Sequence, residues 1–287
     1  MVAYRTSTSR AKEIIEELQI RHPSEICIRD IAMAQGAYVK ESLLESSEGR
    51  LVRKGRKGII TVNSRIPESG RKRFAIAHEL GHFELHNESQ LIICDEGDMY
   101  VWHESREQEL EANEFASNIL MPEEIFKPLI KGQLPNMESI KKLAEEFRTS
   151  LTATALQYVK FSHEPCAVVI CKDSYIKWYK KSGCFDFHVR VNEKLSPNTN
   201  AFDYYEDDFL PSEPDTVPAD AWIAGTEDLD GWITEHSIAL KSYGVVLSLL
   251  WINEKIRTPF RRDDDYDDGP KFDLTNPFTP DGKRWLW

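Results

Sequence analysis

The first third of the chain pairs short helical patterns with short strand-like segments. Residues 9–20 repeat apolar side chains at intervals of three and four, which predicts an amphipathic helix, and residues 28–34 predict a second, shorter one. Three segments bounded by Gly or polar clusters follow, at 38–44, 50–53 and 58–63. The last of them is rich in β-branched residues, so we expect a small β-sheet.

Two longer helical patterns come next. The first runs from about residue 69 to 86, and the second occupies about 104–120, where the Pro at 122 ends it. Residues 138–161 then divide into two helical patterns, and the Thr-Ser pair at 149–150 is suited to cap the second. This part of the chain has the outline of a helix-turn-helix.

The pattern changes to β-rich runs after residue 165. Apolar runs such as CAVVIC and VVLSLLWI are separated by Gly, Pro and Asp clusters, which predicts a second, α+β domain over residues 165–256. Residues 257–287 hold two runs of Asp and end in Trp-Leu-Trp, and we expect this acidic tail to be poorly ordered unless it docks. The fold class predicted for the whole chain is α+β.

Composition and charge narrow the function. With 287 residues, of which 41% are hydrophobic, the chain is long enough for two globular domains. Its formal net charge of −12 disfavours direct binding of nucleic acid, which normally requires a basic surface. Residues 50–73, however, contain nine Lys and Arg and one Glu. This basic run is either a solvated hairpin or a surface that steers an acidic partner, and the sequence leaves both open.

The sequence also bears on location. No apolar stretch approaches the roughly 20 residues that span a bilayer, and the N-terminus lacks the apolar core of a secretory signal. The five cysteines are scattered without a CxxC pair, which favours free thiols over disulfides or a cysteine-ligated zinc. We therefore expect a cytoplasmic protein that makes no membrane contact.

The residues His78-Glu79-Leu80-Gly81-His82 form an HExxH motif within the first long helix. Histidines four residues apart lie on the same helix face, so both imidazoles can bind one divalent cation. Glu79 then stands beside the metal, where it can accept a proton from the attacking water. His86 lies farther round the helix, and we expect it to pack or cap.

A catalytic zinc held by two histidines commonly takes a carboxylate as its third protein ligand. The second long helix offers Glu107, Glu109, Glu111 and Glu114. Glu109 and Glu111 lie closer to its apolar stripe than Glu107 does, and Asn113, four residues after Glu109, is placed to orient a ligating carboxylate. We favour Glu109 and keep Glu111 as an alternative or supporting residue.

The segments RKRFAIAHELGHFELH (71–86) and ELEANEFASNILMP (109–122) together resemble the ImmA/IrrE family of metallopeptidases. The resemblance implies that His78, His82 and Glu109 bind zinc and that Glu79 is catalytic. It also implies a zincin-like peptidase domain at 1–137 and a helix-turn-helix-like region at 138–164. A GAF-like domain that senses an unknown signal ligand would occupy 165–256.

The family resemblance implies a function as well. The protein would make a limited cut in a helix-turn-helix repressor of the XRE type, relieving repression in a stress, mobile-element or toxin-antitoxin response. Zn²⁺ is the expected cofactor, with Mn²⁺ as an alternative. Two other functions remain open: sequestration of the repressor without proteolysis around a structural metal, and DNA binding through residues 138–161.

Two further hypotheses concern the substrate. Residues 58–63 precede the HExxH helix and are a candidate edge strand on which a substrate peptide is laid as an added strand. Tyr100 and His103, between the two motifs, are candidates for stabilising the oxyanion.

Overall fold

A computed structural model describes residues 6–45, 47–86, 106–226 and 231–252. They divide into two compact units, one with the described residues up to Leu129 and with Leu143–Ala153, the other with Ile130–Lys142 and the described residues from Thr154. The α+β fold class is confirmed, with a helical first part and a β-rich C-terminal part. The boundaries predicted at 137 and 164 stay predictions, and the acidic tail lies outside the described residues.

Apart from a helix at Glu123–Ile130, which the sequence patterns did not predict, the helices and strands of the first part follow the predicted order. They are α1 (Ser7–Glu17), α2 (Ile28–Ala34), β1 (Ala37–Ser42), β2 (Gly49–Lys54), β3 (Lys57–Asn63), α3 (Ser69–Leu85), α4 (Arg106–Leu120), α5 (Glu123–Ile130), α6 (Met137–Phe147) and α7 (Leu151–Phe161). Both units contain residues of α6 and α7. The Ser150 hydroxyl accepts the backbone N–H of Ala153, so the cap predicted for α7 is confirmed at Ser150.

The small sheet has the strand order β1-β3-β2. β3 runs parallel to β1 and antiparallel to β2, with which it forms a hairpin. The hypothesis that residues 58–63 form an edge strand is therefore wrong, because β3 pairs on both sides. β3 pairs with β2 through a short hairpin, and it pairs on its other side with β1, which is farther away in sequence. The local pattern does not encode this long-range pairing.

Close packing of α3 on α4 brings the two sequence motifs together. A Cβ added to Gly81 would lie 3.0 Å from both the Cα and the carbonyl oxygen of Ala112, so only glycine allows this approach. The stripe predicted for α4 is buried as expected, and Ala112 and Phe115 are fully inaccessible. Glu109, one turn before Ala112, is thereby held against the HExxH helix.

A buried ion pair links α1 to α3. Arg10 Nε donates to Glu84 at 2.8 Å, and its other nitrogens donate to Glu13 at 3.0 Å and Gln35 at 2.9 Å. The side chains of Arg10 and Glu84 are about one-tenth exposed, so removal of either would leave a poorly solvated charge. The pair fixes the C-terminal turn of the helix that carries the motif.

The C-terminal part contains a five-stranded antiparallel sheet in the order β5-β4-β8-β7-β6. Its elements are β4 (Cys166–Lys172), β5 (Tyr175–Lys181), α8 (Asn200–Asp207), β6 (Asp215–Pro218), β7 (Trp232–Leu240) and β8 (Val245–Trp251). Every residue of β8 is buried, as expected for a central strand covered on both faces. The assignment of this C-terminal part as a GAF-like domain stays a prediction. No helix among the described residues is long and apolar enough for a bilayer crossing.

A fully buried carboxylate organises the interior of this domain. Glu235 on β7 accepts the backbone N–H groups of Asn200 and Ala201 at the start of α8, at 3.1 and 2.9 Å. It also accepts the indole N–H of Trp222 at 2.8 Å and the hydroxyl of Ser237 at 2.6 Å. Burial raises the pKa of Glu235, and these four donors oppose the rise. The carboxylate joins α8, the sheet and the core tryptophan.

Candidate metal centre and active site

Three predicted ligands converge where α3 crosses α4. The Nε2 atoms of His78 and His82, one helical turn apart, lie 3.0 Å from each other. The Glu109 carboxylate lies 3.3 Å from Nε2 of His78 and 3.5 Å from Nε2 of His82. These residues form a group that could hold a metal ion, and no other group of three or more His, Cys, Asp or Glu does so among the described residues.

The spacing of these atoms fits a tetrahedral cation. With metal–nitrogen and metal–oxygen distances of about 2.0–2.2 Å, two ligand atoms on a tetrahedral zinc are separated by about 3.3–3.5 Å. The three observed separations of 3.0, 3.3 and 3.5 Å lie close to this value. The ligand atoms would therefore need only small movements to coordinate one ion.

Hydrogen bonding orients His78 towards the site. The Nδ1 atom of His78 lies 2.8 Å from the side-chain oxygen of Asn113, which is buried on α4. An amide oxygen only accepts, so this contact assigns the proton to Nδ1 and leaves a lone pair on Nε2. Burial alone would lower the pKa of His78, but the hydrogen bond that the protonated ring donates to Glu109 and the negative charge of Glu79 outweigh it and hold the pKa above its usual value.

A second chain of hydrogen bonds orients His82. Its Nδ1 atom lies 2.9 Å from Nδ1 of His86, and Nε2 of His86 lies 3.0 Å from the Glu111 carboxylate. Burial lowers the pKa of His86, which favours the neutral ring. A carboxylate accepts, so His86 donates from Nε2 and accepts at Nδ1, and His82 must donate from its own Nδ1. The lone pair of His82 Nε2 then faces the site.

Both histidines thus direct lone pairs at each other across 3.0 Å. Two such lone pairs repel unless a proton or a metal cation lies between them. Glu109 adds a negative charge at the same point, and the half-buried setting weakens solvent screening. The arrangement could therefore hold a cation, and the supporting bonds give the imidazoles the orientation that a metal requires.

The structure separates the two candidate third ligands. Glu109 joins the two histidines, whereas Glu111 contacts His86 and is not part of the ligand group. Sequence reasoning did not foresee a contact between His82 and His86. The signal was available, since His86 follows His82 by four residues and both are buried. The contact of His86 with Glu111 could not be predicted in the same way, because it depends on how α3 and α4 cross.

Glu79 lies between the metal group and the small sheet. A Cβ added to Gly49, the first residue of β2, would meet Glu79 Oε1 at 2.6 Å and its Cγ at 2.7 Å. The carboxylate therefore rests against the β2 backbone, where any side chain at position 49 would displace it. The two oxyanion candidates, Tyr100 and His103, lie outside the described residues.

Comparison with known proteins agrees with this geometry. Residues 32–157 match the Peptidase M78 family model, described as an IrrE N-terminal-like domain. The segment is similar to IrrE N-terminal-like domains. It contains β1 to β3, α3 and α4, and hence all the metal and acid–base candidates described above. No curated protein matches the chain.

A solved structure is similar to this chain over most of its length. A Mycobacterium tuberculosis transcriptional regulator superimposes with a TM-score of 0.55 at 16% identity, covering 86% of this chain and 75% of the regulator. At this identity the likeness concerns the fold alone. It extends beyond the IrrE N-terminal-like domain into the β-rich C-terminal part.

Proposed function

We propose that the protein is a zinc-dependent endopeptidase, with manganese as the alternative metal. The observation that carries the proposal is the convergence of His78, His82 and Glu109 with Glu79 alongside. A purely structural metal site does not require a further carboxylate besides its ligands, whereas hydrolysis requires a general base, the role proposed for Glu79. The peptidase family of the N-terminal domain supports the same chemistry.

The residues suggest the order of events. The metal, when bound, would supply an activated water and polarise the scissile carbonyl. Glu79 accepts the proton of the water as it attacks, and then returns that proton to the leaving amine. His78, His82 and Glu109 keep the reacting groups in place, and Asn113 and Glu111 hold two of those ligands in position through hydrogen bonds.

The substrate peptide is proposed to extend along β2. Among the described residues β2 pairs only with β3, so its other edge is available for strand addition. Gly49 at the start of β2 rests against Glu79, which places a peptide on this edge beside the acid–base group. This strand takes the role that the sequence had suggested for residues 58–63.

We propose a helix-turn-helix repressor of the XRE type as the substrate, cut once in the cytoplasm to relieve repression. The family resemblance and the regulator that shares the fold support a regulatory setting. Eight of the eleven residues of α7, the helix that would have to enter a DNA groove, are buried, which favours an indirect link to DNA. The C-terminal domain would sense the activating signal ligand.

Co-expression with the regulator encoded next to this gene tests the proposal. The regulator should be cut at one bond in cells that produce the wild-type protein and remain intact with Glu79→Gln. His78→Ala and His82→Ala should lose both metal and cleavage. A regulator that stays intact with zinc or manganese under every stress tried would refute the proposed substrate. Derepression by Glu79→Gln would instead favour sequestration without proteolysis.

A further inference from the structure

The outer face of β2 has an alternating pattern of charge and apolar surface. Arg50, Val52 and Lys54 are exposed, and the residues between them are half-buried on the side that faces α3. We call these three residues the outer strip. Val52 is 37% exposed and pairs in register with Ile59 of β3, which is 43% exposed. The outer strip thus places an exposed apolar side chain between two cations.

The two cations of the outer strip are not used within the fold. Arg50 and Lys54 form no ion pair among the described residues, whereas other cations of the basic run do: Arg71 pairs with Glu48, and Lys72 pairs with Glu41. The paired cations therefore stabilise the fold, and the outer strip retains its charge for a partner. In a chain of net charge −12, such a local excess stands out from the overall acidic field.

The outer strip also lies on the strand proposed to receive the substrate, so this inference rests on the proposed function. A peptide added to β2 would alternate its side chains between the two faces of the sheet. Every second side chain would lie opposite a residue of the outer strip, at the roughly 5 Å Cβ separation of cross-strand neighbours. Opposite charges at such positions attract, and apolar side chains pack together.

We propose that the outer strip selects substrates with an acidic, apolar, acidic sequence at alternate positions. The contact of Gly49 with Glu79 sets the register, because the peptide residue facing Gly49 lies next to the acid–base group. The acidic residues then lie one and five positions from it, about 3 and 17 Å along the strand. An antiparallel peptide carries them on the N-terminal side of the cut, and a parallel one on the C-terminal side.

A nucleic-acid strand could also bind two cations through its phosphates, but it has no peptide backbone that could pair with the outer edge of β2. The apolar residue at the centre of the outer strip and the edge of β2 that faces away from β3, where no other strand of the described residues pairs, both suit an extended polypeptide. The partner we infer is therefore an acidic protein segment.

Binding is measured first, with the Glu79→Gln protein, so that it does not depend on cleavage. The probes are two fluorescent ten-residue peptides followed by anisotropy. One carries Glu, Leu and Glu at three successive alternate positions with Ser between them, and the other carries Lys, Leu and Lys at the same positions. The Glu peptide should bind more tightly, with an affinity that falls as salt rises. Arg50→Glu/Lys54→Glu should weaken its binding by about tenfold, because two attractions become two repulsions.

Lys40→Glu provides the matched control. Lys40 is exposed on β1 and pairs with Thr61 of β3, and Arg50 of β2 pairs with the same residue from the other side. Lys40 therefore lies on the same face of the sheet as Arg50 but on the opposite edge strand. Its reversal should change Glu-peptide affinity by less than about twofold relative to the Glu79→Gln parent. Equal effects of Lys40→Glu and Arg50→Glu would show that only the overall field matters and would overturn the proposal.

Cleavage of a randomised ten-residue peptide library by the zinc-loaded protein gives the second test. Wild type should enrich two acidic residues four positions apart on one side of the cut, which correspond to the positions one and five residues from the one facing Gly49. Arg50→Glu/Lys54→Glu should abolish this preference. Cleavage without any acidic preference would refute the outer strip but leave the peptidase intact. Absence of cleavage together with selective binding of the Glu peptide would refute the peptidase alone. Preferential binding of a single-stranded oligonucleotide over the Glu peptide would overturn the inferred partner.

Discussion

The hydrogen-bond chain from His82 to Glu111 makes the metal affinity depend on a residue that does not touch the metal. In Glu111→Gln the neutral amide oxygen can still accept from His86, but the bond is no longer charge-assisted. Hydrogen bonds to charged groups contribute about 1.5–3 kcal/mol and neutral ones about 0.5–1.5 kcal/mol. The difference is about 1 kcal/mol, because Glu111 is 27% exposed and water screens part of its charge.

We therefore expect zinc to bind Glu111→Gln about fivefold more weakly than wild type. Glu111→Leu, which removes the acceptor, should weaken binding by about ten- to a hundredfold. Competition with a chromogenic chelator measures both constants. Glu107→Gln is the matched control, because Glu107 lies one turn earlier on α4 and is exposed. Its zinc affinity should equal that of wild type.

Nitrogen-15 NMR of the imidazole rings provides an independent readout of the same chain. In the zinc-loaded protein His82 should carry its proton on Nδ1 and His86 on Nε2. Loss of Glu111 should disturb the His86 signal while His78, held by Asn113, stays unchanged. A His82 ring protonated on Nε2, or equal zinc affinities for Glu111→Leu and Glu107→Gln, would refute the assigned hydrogen-bond chain.

Three further substitutions test the packing around the site and in the C-terminal domain. Gly81→Ala should lower the free energy of unfolding by about 1–2 kcal/mol in denaturant titrations and weaken zinc binding, because its Cβ meets Ala112. Unchanged zinc affinity would show that Glu109 does not depend on this approach. Gly49→Ala should keep zinc but reduce kcat at least tenfold in peptide cleavage by displacing Glu79, and unaltered kcat would argue against that contact. Glu235→Gln should destabilise the C-terminal domain by about 3 kcal/mol in hydrogen exchange, since a Gln amide group cannot accept all four donors, and wild-type protection would contradict this.

Much of the metal site could be predicted because it depends on helix periodicity. The four-residue spacing of His78 and His82 places them on one face, and the apolar stripe of α4 points Glu109 to the same side as the core. Both inferences need only local sequence and the expectation that the two stripes pack together. The structure brings these three residues together, and their roles as ligands stay predictions until a metal is bound.

Other features depend on contacts between distant segments and could not be read from local patterns. The central position of β3 results from pairing with both β1 and β2, whereas its sequence only indicates a strand. The contact of His86 with Glu111 requires the close helix crossing that Gly81 permits. Glu235 collects donors from segments far apart in sequence, and a single acidic residue in an apolar strand did not indicate that role.

The basic run also acquired a structural interpretation. The sequence left open whether residues 50–73 are merely solvated or attract an acidic partner. In the structure some of these cations pair with carboxylates, such as Arg71 with Glu48, whereas Arg50 and Lys54 of the outer strip are exposed on the strand beside Glu79. Substitutions on this strand test whether it attracts an acidic partner.

The central claim is that Glu79 acts as the general base beside a metal held by His78, His82 and Glu109. The most direct measurement compares the rate of peptide-bond cleavage by the zinc-loaded wild-type protein and by Glu79→Gln at matched zinc content. Because general acid–base catalysis contributes about a hundred- to ten-thousandfold, we predict a loss of at least a hundredfold with zinc retained. Equal cleavage rates for the two proteins would contradict the claim.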